Sequence, residues 1–370
     1  MARPRIRPDG AVRQAEAALR FLTLVLILLA GAARAQSVSG APPVLDSAGA
    51  PYLSADGRAT YDRWLLTNLP RAVAIGANGK IGWVTGGKPG DLAERALARC
   101  TDNGGTNCQL YAENLDIVWP GRQERTSPPP PPLVSSINYA FVPDVRYFWH
   151  GPGAAAGVFV WSHGNNGPDV DARGLQPPPF VRAFNNAGYD VVRFDRAPMV
   201  DTVNRAEGWL ADELPRLRQS GYRRIIVGGE SRGGWTSLQM LDTAGLADVV
   251  IAVVPAAHGS GVSMNLTAQD DDLRRIVADA PPSQTRVAMV QFLNDPFMSN
   301  ADTRARLMER LQPKSAGLLL IDRPPGFSGH FGGGSLAFAR MFAACLLHFA
   351  QDPTPPSSCP TQLPKSPSEE

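Results

Sequence analysis

Three residues far apart in the chain, Ser231, Asp295 and His330, have the types that nucleophilic acyl transfer requires. A serine hydroxyl is a weak nucleophile and must hand its proton to a base as it attacks. Histidine suits that task because it titrates near neutrality. An aspartate behind the histidine fixes its tautomer and stabilises the imidazolium. Ser231 lies in Gly229-Glu230-Ser231-Arg232-Gly233, a G-x-S-x-G. Alone that pattern is weak, because chains rich in glycine and serine contain it by chance. The flanks strengthen it. Ile225-Ile226-Val227 is a β-branched apolar run that suits a buried strand, and Trp235, Leu238 and Leu241 follow at helical spacing. Strand, tight turn and helix place the serine at a tip with its hydroxyl above the sheet. The glycines on either side remove side chains that would clash there.

The elements that must hold such a site come from a chain of 370 residues, with 44% hydrophobic and 19% charged residues, enough for a large core. The N-terminus stands apart. Arg3, Arg5, Arg7, Arg13 and Arg20 precede or flank the apolar run from Phe21 to Ala30, and Ala33-Arg34-Ala35 reads as a cleavage signature. The run is short for a bilayer span, so residues 1–35 are expected to be an export signal. That segment carries six arginines against Asp9 and Glu16, a net of +4, which leaves −2 for the rest of a +2 chain. The basicity belongs to the leader, and nothing points to nucleic acid as a partner. Four cysteines allow three pairings. Cys100–Cys108 and Cys345–Cys359 are expected, since each pair lies within one predicted module. No C-x-x-C or histidine cluster supports a metal site, and no cofactor is implied. Gly332-Gly333-Gly334 lacks the lysine of a phosphate loop.

Residues 44–126 read as a small α+β module. A helix is expected over Tyr61–Leu69. Asn78-Gly79 between two apolar runs signals a hairpin, Asp91–Arg99 a helix, and Gln109–Trp119 a strand. Pro70-Arg71-Ala72, Ala96-Leu97-Ala98-Arg99-Cys100 and Cys108-Gln109-Leu110-Tyr111-Ala112 loosely resemble a module of exported bacterial proteins, a likeness that implies no activity. The proline run within 127–132 is a stiff spacer, the expected boundary. From 133 to 351, two edge strands (Ile137–Phe141, Val145–Trp149) precede alternating strands and helices. This predicts a mostly parallel sheet with helices on both faces. Residues 352–370 read as a tail. Residues 258–285, with Asp270-Asp271-Asp272 and Leu273, Ile276 and Val277 at helical spacing, read either as a small cap over the site or as a solvated helix.

The elbow, the His163-Gly164 pair after an early strand, and the order Ser…Asp…His resemble the α/β-hydrolase superfamily, of the esterase and dienelactone-hydrolase kind, over residues 133–351. The resemblance implies a base downstream of the serine. His258 comes a strand too early, and His348 sits inside an apolar helix. His330 lies in the loop before the last helix, where the family puts its base. Asp295 matches the family's acid position, with Asp322 and Asp195 as rivals. The oxyanion donors implied are the backbone N–H groups of Arg232 and Asn165. The Glu230 and Arg232 side chains are read as elbow packing or a local ion pair. His163 is read as structural. The function implied is an exported serine hydrolase that cleaves a carboxylic ester of a small-molecule or acylated substrate. A peptidase or amidase with the same triad is the alternative, as is a non-catalytic envelope binding protein on this scaffold.

Overall fold

In the computed structural model of the protein, residues 43–119, 130, 132–165, 167–260 and 263–361 are described. The expected leader 1–35, most of the spacer 127–132 and residues 362–370 of the expected tail lie outside them. Pro42–Glu370 forms one compact unit.

Its first part is a four-stranded sheet with two helices. Helix α1 (Ala55–Leu65) starts where the Ser54 hydroxyl accepts from Gly57 N–H at 3.2 Å. Strands β1 (Arg71–Ile75) and β2 (Ile81–Thr85) form the expected hairpin, with Gly79 at φ 79° in the turn. Helix α2 (Leu92–Asp102) then leads to β3 (Gln109–Glu113) and β4 (Asp116–Ile117), and the strand order is β2-β1-β3-β4. The single strand expected over Gln109–Trp119 is broken at Asn114. Its backbone takes φ 56°, and its side-chain oxygen accepts from Arg71 N–H at 3.1 Å. Helix α1 also begins and ends earlier than the predicted Tyr61–Leu69, because Ser54 supplies a cap that apolar spacing does not reveal. The Arg71 guanidinium, fully buried, ties the layers by donating to the carbonyls of Trp64, Leu65, Thr67 and Asn114. The Cys100–Cys108 disulfide closes the end of α2 onto β3.

The larger part is an eight-stranded sheet. Its elements are β5 (Val134–Ser135), β6 (Tyr139–Pro143), β7 (Gly157–Ser162), α3 (Pro179–Asn186), β8 (Tyr189–Arg196), α4 (Val203–Gln219), β9 (Ile225–Glu230), α5 (Arg232–Gln239), β10 (Val249–Val253), a small hairpin of β11 (Gly259–Ser260) and β12 (Ser263–Met264), α6 (Leu266–Asp279), β13 (Arg286–Gln291), α7 (Ala301–Glu309), β14 (Gly317–Asp322) and α8 (Leu336–Gln351). The order is β14-β13-β10-β9-β7-β8-β6-β5, parallel from β14 to β8 and antiparallel at the β6 and β5 edge. Strand β7 shows why both faces are covered. Val158 and Val160 join one core with Leu214, Leu238, Leu273 and Leu307 of α4 to α7. Phe159 and Trp161 join the other with Phe184 of α3 and Phe338 and Phe342 of α8. Alternate side chains of one strand therefore bury against opposite helical layers. The Cys345–Cys359 disulfide ties the segment after α8 back to that helix.

Two expectations are corrected. The edge strands are Val134–Ser135 and Tyr139–Pro143, and Val145–Trp149 is not a strand. Asp144 ends the edge instead: its carboxylate accepts from Arg146 N–H and pairs with Arg146 and Arg193. Helix α6 is neither a free cap nor a solvated helix. Leu273, Ile276 and Val277 are buried in the core shared with α4, α5 and α7. Its opposite side, with Thr267, Asp271, Arg274, Arg275, Ala278 and Asp279, is exposed, and there Asp270, Asp271 and Asp272 bond Ser299, Arg274 and Arg275.

Candidate active site

Strand β9 delivers Ser231 at its C-terminal end, and the turn is as tight as the glycines suggest. Ser231 has φ 56° and ψ −120°, a left-handed conformation that side chains rarely adopt. Two hydrogen bonds hold it there. Ser231 N–H donates to Val253 O at 3.0 Å, and Ser231 O accepts from Ala256 N–H at 3.1 Å. The flanking glycines are sterically required. A Cβ at Gly233 would lie 1.9 Å from Ser162 O, and one at Gly229 would lie 2.3 Å from the Gly233 carbonyl carbon. Arg232 is the first residue of α5, so its N–H lacks an intrahelical partner.

His330 and Asp295 come from two loops that are laced together. His330 Nδ1–H donates to both Asp295 carboxylate oxygens, at 3.0 and 2.9 Å, and both residues are buried. Gly329 N–H donates to Leu293 O at 2.7 Å, and Leu293 and Ser328 form an isolated parallel bridge. Asn294, at φ 58°, donates from its side chain to Ser328 Oγ at 3.3 Å. Asp295 Oδ1 also accepts from Phe297 N–H at 2.9 Å, and the Phe297 ring packs 4.5 Å from the His330 ring. With Nδ1 committed to the carboxylate, Nε2 is the nitrogen left for a proton from a substrate or serine. Ser231 Oγ and His330 are not hydrogen-bonded to each other in this conformation, as is common when no substrate is bound.

The rivals for these roles are spent elsewhere. Asp322 accepts from Gln291 Nε2 at 2.7 Å and pairs with Arg323. Asp195 pairs with Arg193 at 2.9 Å. His258 pairs with Asp272 at 3.0 Å, and His348 is exposed on α8.

The loop after β7 lies against Ser231: a Cβ placed on Gly164 would be 3.4 Å from Ser231 Cβ. The Asn165 side chain folds back on its own loop. Its oxygen accepts from Gly167 N–H at 2.7 Å, and its nitrogen donates to Asp201 O at 3.4 Å. Any oxyanion donation from Asn165 therefore comes from its backbone. His163 fixes the loop's other end. Its Nε2 accepts from Arg196 N–H at 3.0 Å, and its Nδ1–H donates to Gly164 O at 2.6 Å. Burial, aided by the Arg196 charge, pushes its pKa down to about 3, so the ring is neutral near pH 7. Arg196 itself is fully buried, pairs with Asp201 at 3.0 Å, and donates to Ser162 Oγ and His163 O. Sequence reasoning missed this clamp, because an arginine ending a strand carries no local sign of burial.

Of the two readings of the Glu230 and Arg232 side chains, elbow packing or a local ion pair, the ion pair is not formed: the two make no salt bridge with each other. The electrostatic neighbours of Glu230 are His330 and Asp295, and burial raises its carboxyl pKa. Buried Arg304 of α7 donates to Pro255 O at 2.6 Å, with the charges of Asp270 and Asp295 nearby.

No described family and no curated protein matches the sequence. Solved structures do match. An esterase of Pyrococcus furiosus is 14% identical, aligned over 56% of this chain and 84% of its own, with a TM-score of 0.37. An acylaminoacyl peptidase of Pyrococcus horikoshii is 13% identical over 58% of this chain and 40% of its own, with a TM-score of 0.40. A puromycin-hydrolyzing peptidase of Mycobacterium tuberculosis is 16% identical over 56% of this chain and 37% of its own, with a TM-score of 0.36. Identities at this level transfer no activity. The parallel strands with their antiparallel edge, the helices on both faces and the serine at the strand-to-helix elbow give this chain the α/β-hydrolase fold.

Proposed function

We propose that the protein is a serine hydrolase that cleaves a carboxylic ester through an acyl-enzyme, with Ser231 as nucleophile, His330 as base and Asp295 as acid. The observation that carries this reading is the buried Asp295–His330 pair on laced loops, in a fold that also sets Ser231 at a strained elbow. Ser231 Oγ attacks the ester carbonyl carbon as its proton passes to His330 Nε2. The charge on the carbonyl oxygen is met by the N–H groups of Arg232 and Asn165. The C–O bond to the alcohol then breaks, and the alcohol leaves with the proton from His330. Water repeats the sequence on the acyl-enzyme, releasing the acid and free Ser231.

Asp295 holds the imidazole in the tautomer that leaves Nε2 free, and the buried carboxylate stabilises the imidazolium formed in each step. Two disulfides fit export to an oxidising compartment. Among the described residues no helix is long and apolar enough to cross a membrane. The test is labelling with a fluorophosphonate and peptide mapping, followed by a panel of esters and matched amides. Label on Ser231 alone with ester turnover is expected. Label elsewhere, or none on folded protein, overturns the assignment, and amide turnover matching the esters overturns the ester preference.

A further inference from the structure

One cation beside the nucleophile has no role in the chemistry above. The Arg232 side chain is 91% buried by its 9% exposure, yet among the described residues it makes no ion pair and no side-chain hydrogen bond. Guanidinium groups stay charged, and a buried charge without a partner is costly, so such groups are normally paired. Every other buried arginine of the larger part makes at least one side-chain hydrogen bond. Arg196 holds Asp201, Ser162 and the His163 carbonyl. Arg182 donates to Arg146 O and Gln176. Arg304 donates to Pro255 O.

The groups around Arg232 leave its charge uncancelled. Its electrostatic neighbours are Asp201 and Arg196, which form a salt bridge of their own at 3.0 Å with almost no exposure on either side chain. That pair is neutral as a unit. His163, on the same side, is neutral near pH 7. Glu230, though next to the serine, has His330 and Asp295 as its electrostatic neighbours. One positive charge therefore remains next to Ser231, near Asp201, whose backbone carbonyl accepts from the Asn165 side chain.

We infer that Arg232 is a substrate-recognition group, and that the preferred ester carries a carboxylate close to its scissile bond. The inference rests on the hydrolase reading and deepens it. A planar guanidinium accepts a carboxylate through two parallel hydrogen bonds, which fixes orientation as well as charge. In the complex the substrate carboxylate supplies the missing partner. The Arg232 backbone N–H serves the oxyanion whatever side chain the residue carries, so the two roles are separable by substitution.

The experiment compares kcat/KM for charged and neutral partners in two arms. The acyl arm sets mono-para-nitrophenyl adipate against para-nitrophenyl hexanoate. The alcohol arm sets para-acetoxybenzoate against its methyl ester. One arm should favour the anion about 10- to 100-fold, the range that charge-assisted hydrogen bonds supply, and the arm that does so says which half of the ester meets Arg232. The preference should collapse in Arg232→Met, survive in part in Arg232→Lys, and shrink as salt is raised. No preference in either arm overturns the inference, as does a preference that Arg232→Met retains. If Arg232→Met does not fold, the wild-type ratio and its salt dependence decide alone. Fluorophosphonate labelling of wild-type Ser231 separates the two levels. An unlabelled folded protein overturns the hydrolase reading, whereas a labelled one without charge preference overturns only the carboxylate.

Discussion

Two histidine–aspartate pairs lie among the described residues, and they differ in nitrogen, burial and position. His330 and Asp295 are buried, and the carboxylate is met by Nδ1, leaving Nε2 free. His258 and Asp272 are paired through Nε2 at 3.0 Å, with 29% of the histidine side chain exposed, and Asp272 also takes Arg275 at 2.7 Å. Water and a competing cation weaken what the second carboxylate does for its histidine. Position separates them further. The first pair joins the loops after two neighbouring parallel strands, β13 and β14, on the side of the sheet where β9 ends in Ser231. The second ties the start of the small hairpin to helix α6, so it braces a packed helix. A histidine near an aspartate is thus no sign of catalysis. The nitrogen used, the burial of the pair and the strand ends that present it decide the matter.

The sharpest way to break this contrast is to remove the nucleophile. Ser231→Ala should lower kcat on an activated ester by roughly a million-fold, the scale seen when a triad serine is removed. Residual turnover near wild type would leave neither pair with a serine to serve. Next is the acid. Asp295→Asn should lower kcat at least ~100-fold with little change in melting temperature, because the amide favours the wrong tautomer. Asp322→Asn, whose carboxylate is engaged by Gln291 and Arg323, should keep most activity. If Asp322→Asn is the inactive variant, the acid assignment moves one strand along.

A smaller effect concerns stability against pH. His163 has its folded pKa depressed to about 3 from 6.5, chiefly by burial. Between those values the unfolded chain binds the extra proton. The stability gained from the neutral ring is therefore complete above about pH 6.5 and declines as pH falls towards 3. Melting curves from pH 7 to 4 should fall more steeply for wild type than for His163→Gln; parallel slopes would place the acid sensitivity elsewhere. The smallest change belongs to the second pair. Asp272→Asn should alter kcat by less than ~3-fold and cost about 1 kcal/mol or less in chemical denaturation. A large loss of turnover there would erase the distinction between the two pairs.

Much of this was legible beforehand. The elbow could be read because part of its constraint is local: a Cβ at Gly229 would meet the Gly233 carbonyl, so the motif records the turn directly. The alternation of strands and helices followed from apolar runs and spacing, whereas the choice of His330 and Asp295 came from the likeness to the α/β-hydrolase superfamily. Other features were not legible, because they depend on partners distant in sequence. The edge ended at Asp144 through Arg193, on a neighbouring strand. Helix α6 showed the pattern of an amphipathic helix, but nothing local said that its apolar face would meet α4 and α7 rather than cover a cleft.

Residue order alone therefore determined the layered sheet and the strained serine, since periodicity, β-branching and glycine act over a few residues. Tertiary structure alone decided which charges are cancelled. Arg196 and Arg232 look alike in the sequence. One was brought against Asp201, 5 residues on, and shut away from water, while the other was buried beside Ser231 with no salt bridge of its own among the described residues. That difference comes from where the folded backbone places acidic groups, because ion pairing falls off over a few ångströms and spacing in the chain does not record such distances.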